Sequence, residues 1–191
     1  IKVCIADNYP VVHFGVKSYF KDNADISIVA NVGNFLMVRD ILQTKDIDVL
    51  VLDLELEGLS SIFEVKAVLK NFPKTKIIIF SGLSEQIYAP NAIKAGVSGF
   101  VHKSEKLETL GISIIKVYQG KIIMNETVKK NLALIAKQSK SERLYRKLSN
   151  REVEVLRYLS GGKKNHEIAE ILGLNEKTIS TYKLRLLTKL N

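Results

Sequence analysis

Five short apolar runs at regular intervals constrain this chain more than any other feature. They are "IKVCIA" (1–6), "ISIVANV" (26–32), "VLVLD" (49–53), "KIIIFS" (76–81) and "GFVHK" (99–103). Each reads as a strand, and between them lie stretches with helical apolar spacing, such as "PVVHFGVKSYF" (10–20), "SSIFEVKAVLKNF" (60–72) and "QIYAPNAIKAG" (86–96). Strands that alternate with helices pair in parallel and carry helices on both faces, which is why Val49 to Leu52 is apolar at four successive positions. The expected fold for residues 1–120 is an α/β domain with a five-stranded, doubly wound parallel sheet. Pro90 falls inside the fourth helical stretch, so it is expected in a first turn or before a late helix start. Asp53 ends the third run, and an unpaired carboxylate is costly to bury. Either the strand simply runs out into water there, or the acid stands at the C-terminal edge of the sheet, where such folds place their chemistry.

After residue 120 the rhythm changes. "NETVKKNLALIAKQ" (125–138) places Val128, Leu132 and Ile135 at helical spacing, with Asn125 as N-cap. "SKSERLYRK" (139–147) is polar, basic and aperiodic. Residues 121–147 therefore read as a linker containing a helix at about 125–138, and residues 148–191 as a second, smaller all-α domain. Gly161-Gly162 and Gly173 divide that domain into three short helices. In the first, Ser149 and Glu152 form a capping box, and Val155, Leu156 and Leu159 are expected to face inward. The second carries Ile168, Ala169, Ile171 and Leu172. The third opens at Asn175 and carries Ile179, Leu186, Leu187 and Leu190. A helix, a glycine-closed turn and a second helix form a helix-turn-helix pattern, whose second helix enters the DNA major groove.

Charge supports an anionic partner. The chain has 29 Lys and Arg against 20 Asp and Glu, a net +9. Residues 141–191 hold eleven of those bases against six acids. A single cysteine, Cys4, excludes a disulfide framework or a cysteine-based zinc site within one chain. No apolar run approaches the roughly 20 residues of a membrane span, and no signal peptide is visible, so a cytoplasmic protein without a membrane partner is expected. A nucleotide enzyme on the sheet lacks a motif: no G-x-G-x-x-G follows the first run, and "SGGKKN" (160–165) is not a P-loop.

The strand ends bring together Asp7 and Asn8 after the first run, Asp53 after the third, Ser81 after the fourth and Lys103 after the fifth. Carboxylates with a carbonyl suit Mg²⁺. A nucleophilic carboxylate, a metal and two donors make a phosphoryl-transfer set. With these residues at these spacings, the first 120 residues resemble the flavodoxin-like receiver domain of bacterial two-component response regulators. The resemblance implies that Asp53 is the phospho-acceptor, with a sensor histidine kinase as donor. It implies Mg²⁺ on Asp7, Asn8, Asp53 and the backbone carbonyl of Glu55. Ser81 and Lys103 would hold the phosphoryl oxygens, and Ser81 and Phe100 would act as the switch pair. The chain departs from that pattern at three positions: Asn8 stands where a second acid is usual, Glu57 where Pro is usual, and Ser61 where Gly is usual. Asn8 also fits a helix cap in "NYP". These departures lead us to expect weaker Mg²⁺ binding and less ready phosphorylation, or a receiver that works by protein docking without phosphate.

Residues 148–191 resemble the LuxR-type DNA-binding domain through "LSNREVEVL", "EIAEIL" and "TIS" followed by "KL". The implied partner is double-stranded DNA, bound as a homodimer. Ser180, Thr181, Lys183 and Leu184 are expected at base edges. Lys163, Lys164, Asn165, Lys177, Thr178 and Arg185 are expected at phosphates, and Lys189 beside them. In that family a further helix follows the third, so the segment is expected to be one helix short.

Overall fold

The computed structural model describes residues 1–125, 128–129 and 148–190. Of the helix expected over 125–138 only Asn125, Val128 and Lys129 are included, and the expected linker at 139–147 lies outside the described residues. The chain divides into two compact units, Ile1–Leu132 and Ala133–Asn191.

The first unit alternates β1 (Lys2–Ala6), α1 (Pro10–Tyr19), β2 (Ser27–Val32), α2 (Phe35–Thr44), β3 (Val49–Leu52), α3 (Ile62–Asn71), β4 (Lys76–Ser81), α4 (Glu85–Ala95), β5 (Gly99–His102) and α5 (Leu107–Tyr118). The strands are all parallel in the order β2-β1-β3-β4-β5. This is the doubly wound sheet the apolar runs predict. The period of two along each strand sends alternate side chains to opposite faces. Cys4, Ala6, Leu50, Leu52, Ile77 and Ile79 pack under α2, α3 and α4. Val3, Ile5, Val49, Val51, Ile78 and Phe80 pack under α1 and α5. Cys4 is fully buried, and loss of hydration pushes its thiol up to about 12, so it is packing and not a nucleophile.

The chain leaves β1 toward β2 on one side and returns to β3 on the other, so a crevice opens at the C-terminal ends of β1 and β3. The hydrogen-bond ladder runs on past the strands into it. Asp7 N donates to Val32 O at 3.1 Å, Asp53 N to Ala6 O at 2.9 Å, and Lys103 N to Ser81 O at 2.9 Å. Three polar residues are thus set by sheet geometry.

Two local expectations are corrected. Pro90 sits neither in a first turn nor before a late start: α4 begins at Glu85 and Pro90 lies in its interior, buried. The ring lacks an N–H for the Gln86 carbonyl, and burial against the sheet holds the helix together despite it. Asn8 does not cap α1. The cap position is Tyr9, without a side-chain cap bond, and Pro10 opens the helix. Asn125 does act as a cap, accepting from Val128 N at 2.8 Å, and its amide donates to Glu85 at 2.7 Å.

The second unit packs α6 (Asn150–Ser160), α7 (Asn165–Leu172) and α8 (Glu176–Leu190) around Leu148, Val153, Val155, Ile168, Ala169, Ile179 and Leu186. Val153 takes an inward place, while Leu156 and Leu159 are only half-buried. Of the apolar positions on α7 and α8, Ile171 and Leu187 are exposed. Leu187 stands about 100° past Leu186 around the helix, and three short helices meet along stripes too narrow to cover both. The predicted capping box forms: Ser149 N donates to Glu152 Oε2 at 2.6 Å, and Glu152 N to Ser149 Oγ at 3.3 Å. The Glu152 carboxylate, 2 % exposed, also accepts two bonds from Lys189 Nζ at 2.7 and 2.8 Å, joining the first turn of α6 to the last turn of α8.

Burial alone would raise the Glu152 pKa, but the Lys189 and Ser149 bonds outweigh it and hold the carboxyl below its usual 4.5. A depressed folded pKa adds stability that is present above the unfolded value and lost as pH falls through the folded one. Protection of α6 amides in the full chain, measured as exchange relative to the intrinsic rate at each pH, is therefore expected to fall below about pH 4.5. Glu152→Gln is expected to flatten that dependence, and equal pH profiles for the two proteins would contradict the pairing.

Candidate functional site

The crevice of the first unit gathers four side chains. Asp7 and Asp53 are each 1 % exposed, Ser81 is fully buried, and Lys103 reaches in from the end of β5. The Lys103 ammonium lies 2.6 Å from Asp53 Oδ2 and 2.6 Å from Asp7 Oδ2. Asp53 Oδ1 accepts from Ser81 Oγ at 2.7 Å and from Glu55 N at 3.2 Å. Asp7 Oδ1 accepts from Tyr9 N at 2.8 Å. Both buried acids are therefore hydrogen-bonded and share one cation, which answers the cost of burying Asp53 at a strand end. Burial works against the Lys103 charge, but its bonds to Asp53 and Asp7 outweigh this and raise its pKa above 10.5.

Asn8 bonds to the loop after β3 and not to this cation. Its Nδ2 donates to Glu55 O at 2.7 Å, and its Oδ1 accepts from Glu57 N at 2.7 Å. Ser61 starts α3, its N–H bonded to Glu64 Oε2 at 3.1 Å. Phe100 is 3 % exposed and packed with the α4 side of the core, beside Tyr88 and Ala89.

Two neighbours of the site were not foreseen from sequence. The Tyr9 ring lies 5.4 Å from the Lys103 ammonium, on the crevice rim. His102 bridges from β5 to the β4–α4 turn, with Nε2 3.0 Å from Gly82 O and Nδ1 2.6 Å from Ser104 Oγ. It braces the backbone between Ser81 and Lys103. Lone aromatic and histidine residues next to a motif carry no signal of this kind in sequence.

In the second unit, α7 and α8 form the predicted helix-turn-helix, closed by Gly173 at φ +62°. Asn175 Oδ1 accepts from Lys177 N at 2.7 Å at the start of α8. Lys177, Ser180, Thr181, Lys183, Leu184 and Arg185 are exposed, and Thr178 is half-buried. Asn175, Lys177, Thr178, Thr181, Tyr182 and Arg185 line one concave surface. Asn165 at the start of α7 donates to Ser180 Oγ at 3.2 Å, so those two candidates meet. Lys163 lies 3.5 Å from Glu167, and Lys164 N donates to Glu167 at 2.7 Å. Lys189 is turned to Glu152 instead of outward, which separates it from the other bases.

A doubly wound sheet with a buried Asp–Ser–Lys crevice, followed by a helix-turn-helix unit, defines a receiver joined to a DNA-binding output module. Residues 3–115 match the response regulator receiver domain family, and residues 146–191 match the bacterial regulatory proteins of the luxR family. The chain belongs to the two-component response regulators with a LuxR-type helix-turn-helix domain. It is similar to the Fimbriae Z protein of Salmonella typhimurium, 34% identical over 98% of this chain and 89% of that protein. The nitrate/nitrite response regulator protein NarP of Escherichia coli is 30% identical over all of this chain and 88% of its own length. Among solved structures, the Salmonella typhimurium RcsB response regulator superposes with a TM-score of 0.66 at 26% identity, covering 100% of this chain and 90% of that one. An RcsB–DNA complex superposes with a TM-score of 0.65 at 27% identity, covering 100% and 91%. These families are regulatory and not enzymatic. Among the described residues no helix is long and apolar enough to cross a membrane.

Removing the Lys103 ammonium would leave two buried carboxylates facing each other. Lys103→Ala is expected to lower the stability of the receiver unit by about 3–5 kcal/mol at neutral pH. Mg²⁺ is expected to recover part of that loss by taking over the charge. Denaturation with and without the ion measures both, and a variant as stable as wild type would contradict the account.

Proposed function

We propose that this chain is a transcriptional regulator whose DNA-binding activity is set by phosphorylation of Asp53, with a sensor histidine kinase as donor. The observation that carries the reading is that Ser81 Oγ and Lys103 Nζ each bond a different oxygen of the Asp53 carboxylate. In the transfer, an Asp53 oxygen attacks phosphorus as the P–N bond to the donor histidine breaks. The Ser81 hydroxyl and the Lys103 ammonium then turn from the carboxylate to the phosphoryl oxygens. Ser81 moves with its new partner, and Phe100, buried two strand positions before His102, is the aromatic that repacks in response.

Receiver domains use Mg²⁺ for phosphoaspartate chemistry. The carboxylates of Asp7 and Asp53 and the Glu55 carbonyl fit that ion as oxygen donors, and two carboxylates leave room for the waters Mg²⁺ keeps, whereas Asn8 spends Oδ1 on Glu57 N and Nδ2 on Glu55 O. When bound, the ion supplies positive charge against the phosphoryl oxygens. A phosphate-independent docking role remains the second reading, favoured by Asn8 and Glu57 being bonded to each other.

For DNA, the exposed start and middle of α8 enter the major groove. Ser180, Thr181, Lys183 and Leu184 lie toward base edges, while Lys163, Lys164, Asn165, Lys177, Thr178 and Arg185 lie toward phosphates. RcsB is described as binding DNA, and as dimers on DNA. A homodimer reading two half-sites is the corresponding assembly for this chain.

Two measurements test this reading. A small-molecule phosphodonor is expected to add one phosphoryl group to wild type and none to Asp53→Ala; incorporation that survives the substitution removes Asp53 as acceptor. Duplexes selected from a random pool are expected to bind with an affinity that falls steeply with salt. Lys183→Ala is expected to cost about 1–3 kcal/mol on them and to relax the base preference. Salt-insensitive binding, equal on all sequences, would refute the DNA assignment.

A further inference from the structure

Two of the three departures from the receiver pattern, Asn8 and Glu57, are bonded to each other. Asn8 Oδ1 accepts from Glu57 N at 2.7 Å, and Asn8 Nδ2 donates to Glu55 O at 2.7 Å. A carboxamide is needed for the pair, because it accepts with one atom and donates with the other. Position 57 must also offer an N–H, which a proline there would lack. An acid at position 8 with a proline at 57 would make neither bond.

Glu57 is held from its other side as well. Its carbonyl accepts from Phe35 N at 2.8 Å, at the start of α2, and Asn34 and Glu57 form a parallel bridge. Gly58 follows at φ +81°, a conformation that favours glycine and turns the chain back toward α3. The loop after Asp53 is therefore strapped between the end of β1 and the start of α2, and Asn8 supplies two of the bonds.

Consider the same backbone with an aspartate at position 8. The carboxylate can still accept from Glu57 N. It can no longer donate to Glu55 O, so two unprotonated oxygens would face each other at hydrogen-bond distance. Only a cation or a water placed between them relieves that contact. The amide N–H of Asn8 stands where that positive charge would be needed.

We infer that the Asn8 carboxamide, paired with the Glu57 N–H, replaces a divalent cation as the cross-link between the end of β1 and the loop that follows Asp53, so that this loop is ordered without metal. Asn8 is a positioning residue: it acts on the acceptor crevice through the loop and does not touch the Asp53 carboxylate. The inference rests on the reading of this crevice as a phosphoryl and Mg²⁺ site and deepens it. Loop order here then does not depend on cation binding.

The test is hydrogen exchange of the full chain, followed in peptides covering residues 54–59, with and without Mg²⁺, for wild type, Asn8→Asp and Asn8→Ala. Wild type is expected to exchange slowly and equally in both conditions. Asn8→Ala, which loses both bonds and adds no charge, is expected to exchange about tenfold faster in both. Asn8→Asp is expected to exchange faster than wild type without Mg²⁺, because its carboxylate faces the Glu55 carbonyl, and to slow to near the wild-type rate with it, whereas Asn8→Ala is expected to gain nothing from the ion. Slow exchange in metal-free Asn8→Asp or Asn8→Ala overturns the inference, as does a wild-type loop that Mg²⁺ slows as much as it slows Asn8→Asp. Because amide exchange does not depend on whether Asp53 takes a phosphoryl group, failure of this cross-link and failure of the acceptor assignment are read separately.

Discussion

The Lys103 ammonium, 2.6 Å from an oxygen of both Asp7 and Asp53, is the contact on which the crevice depends. Three different strands must end at one level for it to form. The parallel register achieves this, because the ladder bonds of Asp7, Asp53 and Lys103 continue those of β1, β3 and β5. Two buried acids without a cation would be unstable, and a cation held only by them is easily redirected by an incoming anion. The same arrangement thus supports the resting fold and makes Asp53 responsive. Ser81, fully buried, holds the other Asp53 carboxylate oxygen, so each oxygen of Asp53 meets a side-chain donor.

Asn8 adds a second and different kind of constraint. It leaves the acids to Lys103 and ties the neighbouring loop with a neutral group. The crevice then has two supports, one charged and exchangeable, the other neutral and fixed. An anion that draws Lys103 away need not loosen the loop. Beside this crevice, His102 holds Gly82 and Ser104 across the β4–α4 turn that follows Ser81. The output unit uses a related economy: Glu152 caps α6 and anchors Lys189, so one buried carboxylate ties the last turn of α8 to the first turn of α6 and draws one base to itself.

Much of this was legible in the sequence, for physical reasons that differ by element. The strands were clear because burial on both faces demands unbroken apolar runs, and β4 has the predicted limits Lys76–Ser81. The capping box of α6 was clear because it is local. Pro90 was misplaced because a helix interior tolerates proline when packing compensates, which no local pattern reports. Ile171 and Leu187 share the apolar spacing of their buried neighbours and are nonetheless exposed, because such spacing cannot tell a narrow stripe from a wide one. In the crevice, Asp7, Asp53, Ser81 and Lys103 were placed by strand ends and do meet. The Asn8 bond to Glu57 spans 49 residues and uses a backbone N–H, so spacing could not reveal it. The one available signal was that both positions depart from the receiver pattern together.

The central claim is that chemistry at Asp53 governs what α8 does on DNA. The most direct measurement is the affinity of the full chain for a selected duplex before and after exposure to a small-molecule phosphodonor, with Asp53→Ala as control. The account predicts that the wild-type affinity changes on phosphorylation and that the Asp53→Ala affinity does not. A wild-type chain that carries the phosphoryl group and binds the duplex with unchanged affinity would contradict it.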